Sequence, residues 1–253
     1  MFIDIAVNIC SFKESERNII IERSLSHSIY PIFVGVDIQS SLDCINLSSQ
    51  YKTFCYTGIH PTSGISSLEI PFSENVIAWG ECGLDYDRLH FSSKEDQLQM
   101  FEKQLQLNNE VYFLHCRNAH HDFLLLVKKY KTKGVVHSFT GTVDEMQELL
   151  DNGFYIGVNG CTLKYNSDIV TYLPLDRMLL ETDSPYCLIK ENRFKSNKKG
   201  NNGMLKKGRN EPCRLWDLID KVKAIKNVGE NELEEITNNN FKRIFGRLPW
   251  EIK

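Results

Sequence analysis

The chain has 253 residues, 42% of them hydrophobic, and a formal net charge of −3. That length and apolar content allow one large core, and an α/β barrel of about 250 residues is usually one domain, so 1–253 is read as a single unit. The charge excludes a generally basic nucleic-acid binder, leaving a local patch as the only route to such contact, and no apolar run reaches the roughly 18 residues of a membrane span.

The N-terminus, Met1-Phe2-Ile3-Asp4-Ile5-Ala6, carries an acid where a signal peptide carries lysines. It is read as the first strand, and the chain as intracellular: cytoplasmic, with the nucleus also compatible. Eight cysteines lie at 10, 44, 55, 82, 116, 161, 187 and 213, with no C-x-x-C pair. A reduced chain with cysteines as small buried hydrophobes is the expectation.

In chain order, strand one is Phe2 to Ile9, a helix runs Ser15 to about Ser28, and strand two is Tyr30 to Val36. A short helix over Ser40 to Gln50 turns Leu42, Ile45 and Leu47 inward. Strand three, Thr53 to Ile59, ends at His60-Pro61. Strand four is Val76 to Gly80. Ser92 and Glu95 have capping-box spacing and open a helix with Leu98, Phe101 and Leu105 on one stripe. Strand five is Val111 to Leu114, followed by a helix over Ala119 to Lys131 with Phe123, Val127 and Tyr130 inward. Strand six is Val135 to Ser138. Thr142 and Glu145 form a second capping box, and Gly153 sits just past that helix. Strand seven is Phe154 to Val158, a short helix lies near Ser167 to Leu173, and strand eight is Met178 to Glu181. Two helices, Pro212 to Lys226 and Glu230 to Phe245, finish the chain.

Eight apolar strands separated by helices imply parallel pairing through crossovers. The fold class is α/β, a (β/α)8 TIM barrel whose site lies at the C-terminal ends of the strands. An open doubly wound sheet is the alternative, weakened because no G-x-G-x-x-G follows strand one.

Four of these strands end alike. Val76-Ile77-Ala78-Trp79-Gly80 leads to Glu81, Val111-Tyr112-Phe113-Leu114 to His115, Gly134-Val135-Val136 to His137, and Met178-Leu179-Leu180 to Glu181-Thr182-Asp183. One such ending is an ordinary polar strand tip or helix cap. Four at one barrel end form a constellation able to hold one or two divalent metals. Imidazole suits zinc and other transition metals, and carboxylates suit magnesium or manganese. Metal-assisted hydrolysis is the chemistry that follows. Asp183 can bind metal and also accept the proton of water, Arg117 can clamp a phosphate, and His60 can donate to a leaving oxygen. Cys82 and Cys116 follow two candidate ligands and so face away from the site. His90, His120 and His121 receive no ligand role. Glu211 is open between a helix-start acid and a supporting carboxylate.

The stretch from Lys190 to Arg209 holds Lys195, Lys198, Lys199 and Arg209 among other cations, against the single acid Glu191. It is either a solvated insertion or a phosphate-tracking loop at the barrel mouth.

Six blocks carry a resemblance. Gly58-Ile59-His60-Pro61, Gly80-Glu81-Cys82-Gly83-Leu84-Asp85-Tyr86, Leu114-His115-Cys116-Arg117, His137-Ser138-Phe139-Thr140-Gly141, Glu181-Thr182-Asp183-Ser184-Pro185-Tyr186 and Arg209-Asn210-Glu211-Pro212 resemble the TatD family of metal-dependent deoxyribonucleases. The resemblance implies a metal-dependent hydrolase barrel and phosphodiester cleavage, often from the 3′ end of single-stranded DNA. It implies Glu81, His115, His137 and Asp183 as the metal set and His60 as a catalytic histidine. Glu181 and Glu211 become supporting acids, with Arg117 near the substrate. Many relatives carry His-x-His at the tip of strand one, where this chain has Ala6 and Asn8. One firm metal and a weak second are therefore expected, with Asn8 offering an oxygen to metal or water.

The leading expectation is a magnesium-dependent nuclease, with manganese or zinc as alternatives. Its substrate is single-stranded DNA or RNA, with no membrane and no obligate protein partner. Some proteins resembling this family act on D-aminoacyl-tRNA, and the wider superfamily on esters and amides, so the resemblance also implies such hydrolysis as the alternative. A barrel that binds nucleic acid without catalysis is the third reading, supported only by the missing His-x-His pair.

Overall fold

The computed structural model describes residues 1–64, 68–107, 111–190, 196–197 and 205–252. Eight strands pair in parallel and in sequence order: β1 (Phe2–Val7), β2 (Ile29–Val34), β3 (Cys55–Thr57), β4 (Val76–Asp85), β5 (Val111–Arg117), β6 (Lys133–His137), β7 (Tyr155–Val158) and β8 (Met178–Leu180). The seam between first and last is bridged at Val7 and Ser184, where Asn8 N donates to Ser184 O at 2.9 Å. Buried Asp4 ties the same seam, accepting from Thr182 N at 2.8 Å and Thr182 Oγ1 at 2.6 Å. The fold is the expected (β/α)8 barrel, and this closure rules out the open sheet.

Side-chain alternation separates two layers. Ile3, Ile32, Tyr56, Ala78, Phe113, Val135, Tyr155 and Leu179, one from each strand, pack into a single cluster that fills the barrel. Phe33, Cys55, Leu114, Val136, Ile156 and Leu180, of opposite parity, pack on the outer layer instead, and Cys82 joins them beyond a register shift in β4. The helices are α1 (Glu14–Ser26), α2 (Ile38–Tyr51), α3 (Lys94–Leu107), α4 (His120–Lys129), α5 (Val143–Asp151), α6 (Gly160–Tyr165), α7 (Asp168–Tyr172), α8 (Leu215–Lys226) and α9 (Glu230–Phe245). Phe241 and Phe245 of α9 join the barrel-filling cluster. None of the helices among the described residues is long and apolar enough to cross a membrane.

Several local expectations hold, and others shift for identifiable reasons. Thr142 and Glu145 do form a reciprocal capping box on α5, and Gly153 follows it with φ +84°. The cap of α3 is one residue later than expected: Asp96 N donates to Ser93 Oγ at 3.1 Å, while Ser92 is buried and its carbonyl accepts from Gln97 Nε2. Helix α2 turns Leu42 outward and buries Ser41, Cys44 and Ser48. Small residues are required there because α2 lies on Gly35, where a Cβ would meet Ser41 Oγ at 2.5 Å. Helix α6 was not anticipated, since six residues are too few to show a period. The expectation of a fully reduced chain is also corrected, because Cys161 on α6 and Cys187 after β8 are joined by a disulfide. The basic stretch contributes a two-residue strand pairing, Ser196–Asn197 with Leu205–Lys206. Lys195, Lys198 and Lys199 lie outside the described residues.

Candidate active site

The barrel-filling residues aim the site. Two positions beyond Phe113 on β5 lies His115, two beyond Val135 on β6 lies His137, and two beyond Leu179 lies Glu181, so each points the way its predecessor does. Strand β4 needs an extra residue. Its register to β5 shifts between Trp79 and Cys82, which brings Glu81 rather than Gly80 into line with Ala78. Gly80 has φ +144°, and a Cβ there would stand 2.0 Å from Phe113 O, so only glycine allows the two strands to meet.

The result is a tight, buried convergence. Glu81 Oε1 lies 2.8 Å from His115 Nδ1 and 2.7 Å from His137 Nε2, and those two nitrogens are 3.2 Å apart. His60 Nε2 is 3.3 Å from the same oxygen. Ligand atoms of His60, Glu81 and His115 all fall within 4.8 Å of one another. The tautomers follow from the outer partners. His115 faces a carboxylate at each nitrogen, Glu81 at Nδ1 and Asp85 Oδ2 at 3.1 Å from Nε2; a cation held at Nδ1 would leave the proton of the neutral ring on Nε2, where Asp85 accepts it. Thr62 N donates to His60 Nδ1 at 3.1 Å, so in the neutral ring the His60 proton sits on Nε2, facing Glu81. His115 Nδ1, His137 Nε2 and Glu81 Oε1 converge on one point, where a shared proton holds them in the absence of metal and a cation can take its place. Two imidazole nitrogens and a carboxylate oxygen suit a divalent transition metal. The donor set fits such an ion.

Charges reinforce this arrangement. Burial opposes ionisation of Glu81, but the charges of His137 and His60 and its hydrogen bonds outweigh it and hold the carboxyl well below the usual range. Burial likewise opposes charging His137, yet Glu81 and Glu181 win and push it well above an ordinary histidine. Burial lowers His60, against the pull of Glu81. Asp183 is pushed up to about 7 by burial and by Glu181 and Glu81.

Not every expected residue reaches the cavity, which measures about 570 Å³ and is lined by Asn8, His60, Glu81, His115, Arg117, His137 and Asp183 among others. Asp183 stands in its wall, held by Asn8 Nδ2 at 2.8 Å, so the Asn8 side chain serves Asp183 through its nitrogen. Glu181 lies behind His137, fully buried, accepting from Ser138 N at 2.7 Å and Asn159 Nδ2 at 2.9 Å, with His137 Nδ1 at 3.6 Å. It supports the ring and does not meet the cavity. Glu211 and Arg209 are elsewhere too: Glu211 is buried between Arg23 at 2.5 Å and Arg209 at 2.9 Å, and Arg209 also pairs with Glu16. Reach explains it, because Arg23 on α1 draws the acid inward and Arg209 follows.

Sequence reasoning missed Asp85. Strand β4 runs five residues beyond its expected end, and Glu81, Gly83 and Asp85 alternate along it. Gln97 of α3 clamps the Asp85 backbone, its Oε1 accepting from Asp85 N at 2.7 Å and its Nε2 donating to Asp85 O at 2.9 Å. Arg88, Phe91, Tyr165 and Tyr186 complete the cavity rim, and no periodic signal marks them.

Comparison with known proteins agrees with this geometry. The model of a family described as "TatD related DNase" matches residues 3–246. The chain is 43% identical over 251 residues to the "Putative deoxyribonuclease TATDN1 homolog" of Vairimorpha ceranae, covering 97% of this chain and 95% of that one. It is 32% identical to the "3'-5' ssDNA/RNA exonuclease TatD" of Musicola paradisiaca, over 96% of this chain and 97% of the relative. A crystal structure of a hydrolase TatD family protein from Entamoeba histolytica superposes with a TM-score of 0.84 at 26% identity, covering 96% and 97% of the two chains.

Proposed function

The chain belongs to the family of TatD-related DNases, hydrolases of phosphodiester bonds, and on that premise we propose that it is a divalent-metal-dependent 3′–5′ exonuclease on single-stranded DNA, with RNA as a second substrate. The observation that carries the reading is the meeting of Glu81 Oε1, His115 Nδ1 and His137 Nε2 within 2.7–3.2 Å in the wall of a cavity that Arg117 also lines. The exonuclease direction is supported by the name of the bacterial relative.

Glu81, His115 and His137 would hold the ion, and His115 and His137 make manganese or zinc a better match than magnesium. A bound ion supplies polarisation of the phosphoryl oxygen and a lowered water pKa. Arg117 pairs with a non-bridging phosphate oxygen and fixes the diester in the cavity. Asp183, fixed by Asn8 and titrating at about 7, takes the proton from the attacking water at its carboxylate. His60 would donate a hydrogen bond from Nε2–H to the leaving 3′ oxygen as the P–O bond breaks, and solvent supplies that oxygen's proton. Glu181 and Asp85 touch no substrate and keep the two ligand rings in place. With Ala6 at the tip of β1 and Asn8 engaged by Asp183, that strand brings no second set of strong ligands, so one firm ion is proposed.

The test is a denaturing-gel time course on a 5′-labelled single-stranded oligonucleotide. Metal-stripped protein is compared with protein given magnesium, manganese or zinc, beside His115→Ala. A metal-dependent ladder shortening from the 3′ end, absent in the variant, is expected. An intact strand under every metal would refute the reading and direct the next assay to aminoacyl esters.

A further inference from the structure

We infer that a second cavity, next to the catalytic one, seats the neighbouring nucleotide of the strand. Tyr165 is its stacking surface, and Arg117 grips the phosphate between the two nucleotides. The inference deepens the nuclease reading and rests on it.

The second cavity measures about 530 Å³, nearly the size of the first, and lies where α4, α5 and α6 begin or end. Arg117 and Tyr165 belong to the walls of both cavities, so the two are adjoining lobes of one groove. A mononucleotide fills one lobe, and a strand fills both. The junction is the point where a linking phosphate must pass. Arg117 stands there with its Nε buried and without a hydrogen-bond partner among the described residues. A half-buried guanidinium in the wall that two cavities share is a ready partner for an anionic oxygen passing between them.

Tyr165 supplies the other half. The residue is 61% exposed although its ring is large, and it belongs to none of the hydrophobic clusters among the described residues. Lys164 Nζ lies 4.7 Å from its ring centroid and adds positive charge at the same rim. An exposed ring beside a cation, at the edge of a cavity, is how proteins hold single-stranded bases without reading their sequence. The remaining wall sets the orientation. Asp87 accepts from Asn118 Nδ2 at 3.2 Å, and Glu145 Oε2 accepts from Thr142 N at 2.8 Å, so both acids are fixed within the cavity wall. They repel a phosphate from the depth of the lobe. The base therefore enters the lobe and the phosphate stays at Arg117.

Fluorescence anisotropy of a labelled single-stranded hexanucleotide, with metal-free protein, tests this apart from catalysis. Tyr165→Ala is expected to weaken binding about 5- to 150-fold, the worth of one stacked base. Tyr165→Phe, which keeps the ring face, is expected to bind like the wild type. Tyr172→Ala removes an equally exposed tyrosine from α7 and is expected to change nothing. Equal binding by Tyr165→Ala and wild type, or equal weakening by Tyr172→Ala, overturns the second seat, as does a wild type that binds no strand. Adding metal separates the two readings. A protein that binds in the expected pattern and cleaves nothing refutes the nuclease and leaves the seat standing. One that cleaves while Tyr165→Ala binds normally does the reverse.

Discussion

Asp85 offers the sharpest test of how the cluster is held. Its carboxylate is 1% exposed and lies 3.1 Å from His115 Nε2, which fixes the ring plane and favours the Nε2–H tautomer that a cation at Nδ1 requires. Burial opposes its ionisation, but the His115 hydrogen bond, the His115 charge and Arg88 outweigh it and lower its pKa, so the acceptor is charged. A hydrogen bond to a charged group is worth about 1.5–3 kcal/mol and a neutral one about 0.5–1.5 kcal/mol. Asp85→Asn keeps an acceptor oxygen and loses the charge, a difference of about 1 kcal/mol, or roughly fivefold in metal affinity. Asp85→Ala loses the acceptor altogether, and removing such an outer partner of a metal-bound histidine costs about 10- to 100-fold. The alanine also loses the acceptor for Asp87 N at 3.1 Å, and asparagine, with one amide oxygen turned to His115, gives up the same local cap, so the two variants share that cost to folding and differ in what they offer the ring. Isothermal titration of manganese into metal-stripped protein reads the affinity, and a thermal melt checks the fold. Unchanged manganese affinity in a folded Asp85→Ala would refute the reasoning, because it would mean that His115 needs no outer partner.

Three further outcomes follow from the same geometry. His137 is held protonated in the metal-free protein because its pKa is raised, so a cation must displace that proton; metal affinity is expected to rise with pH until the raised pKa is passed. Titrations in two buffers of different ionisation heat measure the proton release, and a release of zero would contradict it. Asp183→Asn is expected to lower kcat on a single strand by about 10²- to 10⁴-fold with strand binding retained, and normal turnover in that variant would remove Asp183 as the base. Gly80→Ala places a Cβ 2.0 Å from Phe113 O at φ +144°, and a loss of folded protein or a fall in Tm is expected; a melt equal to wild type would show that β4 and β5 do not meet as described.

The sequence carried the barrel because its signals are short-range and repeated. Apolar strands punctuated by helices need no knowledge of distant contacts, and the helix Glu230–Phe245 appears where its period placed it. Glu81, His60, His115, His137, Arg117 and Asp183 were legible for the same reason, since each follows an apolar run at the end where barrels build sites. What escaped depends on reach between elements. Asp85 was hidden because the bulge in β4 prolongs the strand, and bulges leave no periodic mark. Glu211 and Arg209 were drawn toward each other by Arg23, a residue 188 positions away from Glu211 that spacing cannot nominate. The Cys161–Cys187 bond joins residues 26 apart on two separate elements, and nothing in their spacing distinguishes them from the other six cysteines.

These misses share a consequence for function. Most of the described residues read from the sequence face the cavity, whereas the concealed partners of the ligand rings act from outside: Asp85 behind His115, and Asn159 beside Glu181 behind His137. A metal site needs both sets, because a ring free to turn offers its nitrogen only part of the time. The two outer carboxylates meet their rings differently. Asp85 is within hydrogen-bond distance of His115, whereas Glu181 stands 3.6 Å from His137 Nδ1, a nitrogen buried without a hydrogen-bond partner among the described residues. His115 is thus fixed by a directional bond, and His137 by charge and by its stack on Phe113 at 4.7 Å between ring centroids. The same logic makes Asp85→Asn a stricter probe than Glu181→Gln, since directional restraint depends on the acceptor more steeply than electrostatic attraction across 3.6 Å does.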